Sequence, residues 1–232
     1  MTNDFLVRKY RPDDEEAVRE ICFETAMLGS SMAPYFDDVW LVSEVLVGCY
    51  FRFEPQSLFV AVADGRVIGY LSGCLDSDVL MRKCRNHLLA SVLPHLFLSG
   101  HIVRPKSWKL ARFAVRHARA ALPLKKCVQD SHPAHLHLNI ASTCRGHGVG
   151  RALMDAFLSY ASAAHSPGVH LSTASAKARD FFARSGFHMV AAAEVATMKK
   201  GEHHSTYLMT KEFGVVGQGA AAPGLTAHEH QN

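Results

Sequence analysis

The spacing of apolar positions changes several times along the chain, and each change marks an element. Residues 4–10 (Asp4-Phe-Leu-Val-Arg-Lys-Tyr10) make a short strand. Pro12-Asp13-Asp14 then leads into Glu15-Glu16-Ala-Val-Arg-Glu-Ile-Cys-Phe23, with apolar residues at helical spacing. Proline and carboxylates there predict a helix start, because acidic groups are favoured at the positive end of the helix dipole. Trp40 to Phe53 is helical in period and ends before Pro55. Two β-rich runs, Ser57–Ala63 and Arg66–Cys74, flank Asp64-Gly65 and predict a hairpin.

Residues 77–134 are mostly helical in character, with expected interruptions at Pro94, Pro105 and Pro123. His135-Leu-His-Leu-Asn-Ile140 has alternating character and strand length. A glycine-rich turn, Arg145-Gly-His-Gly-Val-Gly150, follows it and opens an amphipathic helix over Arg151 to Ala164. Val169–Thr173 reads as a strand and Ala176–Ser185 as a helix closed by Gly186. Phe187–Ala191 and Tyr207–Thr210 supply the last strands, and from Gly214 the chain loses all periodicity, which predicts a disordered tail over 214–232. The sum is a mixed α/β sheet in a single domain over residues 1–213, with residues 77–134 as a helical insertion between the third and fourth strands.

Composition removes several function classes. Of 232 residues 48% are hydrophobic, and the formal charge is +4, too small an imbalance to predict nucleic-acid binding by itself. No run approaches the length of a membrane span, and the first ten residues lack the pattern of a secretory signal. Six scattered cysteines without C-x-x-C predict reduced, mostly buried thiols in a cytoplasmic or nuclear protein. The fifteen histidines show no supporting ligand pattern, so no metal is expected.

The total charge conceals a bipolar chain. Residues 1–76 hold 6 basic and 13 acidic side chains, whereas residues 77–134 hold 11 basic and 2 acidic. That basic block, from Arg82 to Lys126, reads as a solvated helix face or as a surface attracting phosphates or an acidic partner; Arg112, Arg116 and Arg119 would share one helical face.

The chemistry concentrates in the glycine turn. Glycines let a ligand approach the main chain closely, and free N–H groups at a helix start form an anion site suited to a pyrophosphate. Neither the Walker pattern nor the dinucleotide G-x-G-x-x-G is present, and the same turn also suits a tight connection with no ligand. In context, Arg145-Gly-His-Gly-Val-Gly150 resembles the acetyl-coenzyme A turn of the GNAT superfamily of N-acetyltransferases. Ala178-x-x-Phe181-Phe182-x-x-x-Gly186-Phe187 is similar to the second motif of that superfamily, and Phe59-Val-Ala61 with Val67-Ile-Gly-Tyr70 to its second and third strands. Within it, Tyr50 to Pro55, Asp76 and His135-Leu-His-Leu138 resemble acetyltransferase-like proteins related to the C-terminal domain of O-GlcNAcase.

The resemblance implies a GNAT-like sheet of six or seven strands and acetyl-coenzyme A as co-substrate. The backbone of Leu138, Asn139 and Ile140 would pair with the pantetheine arm where the central strands splay. Amides of Arg145, Gly146, His147, Gly148, Val149, Gly150 and Arg151 would hold the pyrophosphate. Phe182 would lie near the thioester, at a position where many members carry a proton-donating tyrosine, and Ser175 stands where an asparagine is frequent. An amine of pKa ~10.4 must lose a proton before attack. His137 and His135, which share a strand face, and Asp76 are the candidate bases. Tyr207 and Cys144 are weaker candidates. Two functions follow: transfer of acetyl to an amine of unspecified identity, or a non-catalytic module that keeps coenzyme A or a protein partner.

Overall fold

The computed structural model describes residues 4–196 and 203–213. Seven strands form one mixed sheet: β1 (Leu6–Lys9), β2 (Leu58–Ala63), β3 (Arg66–Cys74), β4 (Ala134–Ile140), β5 (Gly168–Thr173), β6 (His188–Ala196) and β7 (His203–Glu212). Their order across the sheet is β1-β2-β3-β4-β5-β7-β6, antiparallel throughout except for the parallel pair β4/β5. The helices are α1 (Glu15–Thr25), α2 (Val39–Ser43), α3 (Cys49–Phe53), α4 (Ser77–Leu98), α5 (Pro105–Lys126), α6 (Val149–Ala163) and α7 (Ala176–Arg184).

Strand periodicity divides the core between the two faces of the sheet. On β2, Phe59 and Ala61 join Leu136, Leu153, Phe157 and Phe182 beneath α6 and α7. Their neighbours Leu58 and Val60 point the other way, to Val18, Cys22, Tyr50, Tyr70 and Leu80 beneath α1, α3 and α4. Both faces are covered, so β2 reads as an unbroken apolar run. At Gly73 a side chain would overlap the Phe157 ring, which brings α6 directly onto the centre of the sheet. Four cysteines (Cys22, Cys49, Cys74, Cys84) are buried thiols, while Cys127 is exposed and Cys144 half-buried.

Several expected boundaries differ. Pro94 does not interrupt α4: its ring lies on an exposed stretch, where water can serve the carbonyl it frees. Pro105 opens α5, and Pro123 lies within the span of that helix. The helix expected from Trp40 to Phe53 widens over Glu44–Gly48 into a π-turn. A buried carboxylate accounts for it: Glu44 receives Arg19 Nη2 at 2.7 Å and His87 Nε2 at 2.6 Å, and lies so close to Gly48 that any Cβ there would collide with it. β6 and β7 are longer than their sequences suggest, because pairing from His188 to Ala196 extends through residues of low strand propensity. The tail expected to be disordered lies outside the described residues. Among them, no helix is long and apolar enough to cross a membrane.

The N-terminal strand is fixed by a bidentate pair. Arg8 Nη1 and Nη2 donate to Asp14 Oδ2 and Oδ1 at 2.6 and 2.7 Å, and the Arg11 amide donates to Oδ2 at 2.8 Å. Chiefly through the Arg8 hydrogen bond, the Asp14 carboxyl is held below the usual carboxylate range. A lowered native pKa gives stability that is complete above the unfolded value of ~3.9 and lost as pH falls through the native value. Asp14→Asn should therefore cost about 1.5–3 kcal/mol at neutral pH in urea melts, and its difference from the unsubstituted protein should shrink as the pH falls below ~4.

Candidate functional site

The two parallel central strands are paired only at their beginnings, Ala134 with Val169 and His135 with His170. Beyond that point β4 remains on β3 as far as Ile140, while β5 follows β7 through Thr173. A gap opens between them. The direction of the free β4 groups follows from the ladder. The Ala141 amide donates to Ile68 O at 3.0 Å, so Ile68 and Ala141 form a hydrogen-bonded pair, and the next residue back faces the other edge. Ile140 and, two residues earlier, Leu138 thus turn their backbone N–H and C=O groups into the gap.

The glycine turn closes one end of this gap. Arg145 to Gly148 are exposed, and Val149 and Gly150 are buried. Gly146 and Gly148 hold φ of +88° and +82°, and a Cβ at either would meet open space. Gly148 caps α6, whose first intrahelical bond runs from the Ala152 amide to Gly148 O at 3.1 Å. The amides of Val149, Gly150 and Arg151 precede it and have no acceptor within the helix. Gly150 has a different reason to be glycine: its Cβ would lie 2.9 Å from Ile140 Cδ1 and 3.4 Å from the Phe181 ring, so α6, β4 and α7 meet there. The side chain of Arg145 folds back, donating to Ile140 O at 3.1 Å and to Gly29 O at 2.8 Å. The Arg151 side chain pairs with Asp155, on the exposed flank of α6. His147 is exposed, as is all of the 145–151 turn except Val149 and Gly150.

Across the gap, Ser175 caps α7 by accepting from the Ala178 amide at 3.3 Å. Phe182, at 7% exposure, packs between Phe181 and Phe187 as part of the core. No proton donor stands at that position.

His135, His137 and Asn139 share the opposite face of β4. Asn139 is anchored there: its Nδ2 donates to the Tyr70 hydroxyl at 2.9 Å, and its Oδ1 lies 3.1 Å from Thr25 Oγ1, whose single proton is shared with Ile21 O at 2.6 Å. His135 is buried, with Nδ1 3.4 Å from the Tyr50 hydroxyl. Burial pushes that phenol far above its ordinary pKa, so it keeps its proton, and the direction of the bond follows the His135 tautomer. His135 also stacks on His170, with centroids 5.0 Å apart, and the edge of His137 meets it at 4.5 Å. His170 Nδ1 in turn lies 2.6 Å from His132 O, to which it can only donate. His137 is exposed. The structure thus assembles a histidine row running from the buried sheet to the surface. Sequence spacing showed the His135/His137 pair but not His170, Tyr50 or Tyr70, which come from other strands and a helix.

Asp76 stands apart from that row in role. Its Oδ1 accepts from the Val79 amide at 2.8 Å and caps α4 at the end of β3. Tyr207 is half-buried on β7 beneath Arg179, and Cys144 closes the short 3-10 turn after β4. The basic side chains from Arg82 through Arg119 named above, and Lys126, are exposed.

Known proteins share the fold of this chain. Residues 127–210, from just before β4 into β7, match the family of acetyltransferase (GNAT) domains. The solved structure of SsHAT is similar over 90% of this chain and 98% of its own, at 29% identity and a TM-score of 0.65. The structure of yncA from Salmonella typhimurium, solved with its cofactor acetyl-CoA, shares 13% identity over 96% and 99%, with a TM-score of 0.56. An agmatine N-acetyltransferase mutant in its apo form shares 17% over 90% and 100%, with a TM-score of 0.53. The fold is GNAT-like, with the seven-stranded mixed sheet and flanking helices expected.

Because Gly148 holds a left-handed conformation in open space, Gly148→Ala should destabilise by about 1–2 kcal/mol through backbone strain alone, measurable as a shifted urea midpoint.

Proposed function

We propose that the protein is an acetyl-coenzyme A-dependent N-acetyltransferase acting on an amine. The parting of β4 from β5 carries this reading: it leaves an unpaired strand edge that ends in a glycine turn at the start of a helix. The match of residues 127–210 to acetyltransferase domains supports it.

The residues fit the co-substrate. An amide-bearing pantetheine arm can add to β4 as a strand, using the inward groups of Leu138 and Ile140. The amides of the 145–151 turn, at the positive end of α6, suit a pyrophosphate, and the open space over Gly146 and Gly148 gives it room. Ser175 and α7 border the other side.

Bound there, acetyl-coenzyme A supplies an activated thioester. The chain's own part is then to hold the carbonyl oxygen with a strand amide, for which Leu138 N–H, further from the turn than Ile140, is placed, and to manage protons. His137 is the base we favour, because its imidazole is exposed whereas His135 is buried against Tyr50 and His170. His137 takes the proton lost from the attacking nitrogen as the new N–C bond forms. When the C–S bond breaks, the thiolate takes back a proton from the imidazolium, since Phe182 has none to give. Asp76 caps α4 through Oδ1 and keeps Oδ2 to orient the amine. We place the protein in the cytosol or nucleus on its reduced thiols. We also infer kinship with the acetyltransferase-like proteins related to the O-GlcNAcase C-terminal domain; the contact of Tyr50 with His135 joins two of the three segments carrying that resemblance.

Phe182 favours a second reading, a module that binds coenzyme A without turnover. Two measurements separate them. Acetyl-coenzyme A and coenzyme A at about 100-fold over Kd should each raise Tm by roughly 5–10 °C. A chain that shows no shift at millimolar ligand has no cofactor site. Thiol release with an amine panel should fall by about 10²–10⁴ in His137→Ala, while the Tm shift persists; binding without release in the unsubstituted protein selects the second reading.

A further inference from the structure

Away from the cleft, the corner between α4 and α5 carries a cluster with its own chemistry. α4 ends at Leu98, the chain reverses through Gly100 at φ +67°, and His101 begins a 3-10 turn. The reversal brings His95, in the last turn of α4, and His101 to the same carboxylate on a distant segment. His95 Nε2 lies 2.6 Å and His101 Nε2 2.9 Å from Asp38 Oδ2. The three atoms are all within 4.8 Å of one another.

We propose that Asp38, His95 and His101 form a zinc site that fastens the helical insertion to the start of α2. Three observations support it. Two imidazole nitrogens and one carboxylate oxygen are the ligand types zinc selects, and His-x5-His is a spacing found among its ligands. The second carboxylate oxygen, Oδ1, already accepts from the Leu41 amide at 2.8 Å, which orients the carboxylate from behind. His95 sits against the Trp40 ring at 4.3 Å and His101 against Phe36 at 5.0 Å, so both imidazoles are held in place.

The crowding at Asp38 Oδ2 distinguishes an ion site from a simple clamp. With no ion, both Nε2 atoms must carry protons, and two donors crowd onto a single oxygen. Zinc would accept both Nε2 lone pairs and Oδ2 together, with release of any proton they carried. Tetrahedral zinc holds its ligands about 3.3 Å apart, so each Nε2 must move back from Oδ2 by roughly half an ångström. A water completes the coordination on the His95 side, where the side chain is 31% exposed. The end of α4 is also the negative end of its dipole, which favours a cation. Magnesium and calcium, which prefer oxygen donors, fit this set poorly.

The test uses the full chain stripped with a chelator and dialysed. One equivalent of zinc should raise Tm by several degrees, magnesium should not, and cobalt in place of zinc should give the visible absorption of a tetrahedral site. His95→Gln keeps an N–H that can reach Asp38 but removes the imidazole ligand; it should fold and lose the one-equivalent zinc response. No zinc-dependent shift in the unsubstituted chain, or an equal shift in His95→Gln, overturns the proposal. Should His95→Gln fail to fold, the cobalt spectrum decides, and octahedral bands or none would overturn the assignment.

Discussion

β4 and β5 hold each other through two residue pairs, Ala134–Val169 and His135–His170, and then separate. The core, the turn and the cleft all depend on how that separation is kept open. α6 is drawn onto the centre of the sheet at Gly73 and onto β4 at Gly150, so the helix that begins at the turn cannot drift away from the gap. On the far side, β5 is carried off by β7, and α7 follows it. Neither strand can close the gap without leaving its other partner, at the loss of a run of ladder hydrogen bonds.

Period-two alternation gives β4 two tasks. Leu136, Leu138 and Ile140 turn their side chains toward α6 and build the core. His135, His137 and Asn139 face the other way, where Tyr50, Tyr70 and Thr25 hold polar atoms that would be costly to bury unpaired. The same strand therefore supplies an apolar foundation on one side, a polar row on the other and backbone groups turned into the gap along its edge.

Much of this was legible in the chain because it is local. The Asp64-Gly65 hairpin, the Arg145–Gly150 turn and the Gly186 cap are each set by a few neighbouring residues whose conformational needs are specific. What escaped was decided at a distance. The π-turn at Glu44–Gly48 follows from a carboxylate paired with Arg19 and His87, one before it and one well after it. Pro94 reads as a break because its solvent exposure cannot be seen in one dimension. His170 and Tyr50 join the row only once strands and helix are assembled. Asp38 and His95 are 57 positions apart, so the cluster they share with His101 leaves no motif behind.

The Arg145 side chain bridges to Gly29, 116 positions earlier in the chain. That single link ties the order of folding to the order of synthesis. Loop closure over such a span is entropically costly and is repaid only after the segments between have condensed. The hairpin and α1 can form early from neighbours alone, whereas the turn acquires its final shape only when most of the sheet exists. The gap between β4 and β5 is then among the last parts of the molecule to mature.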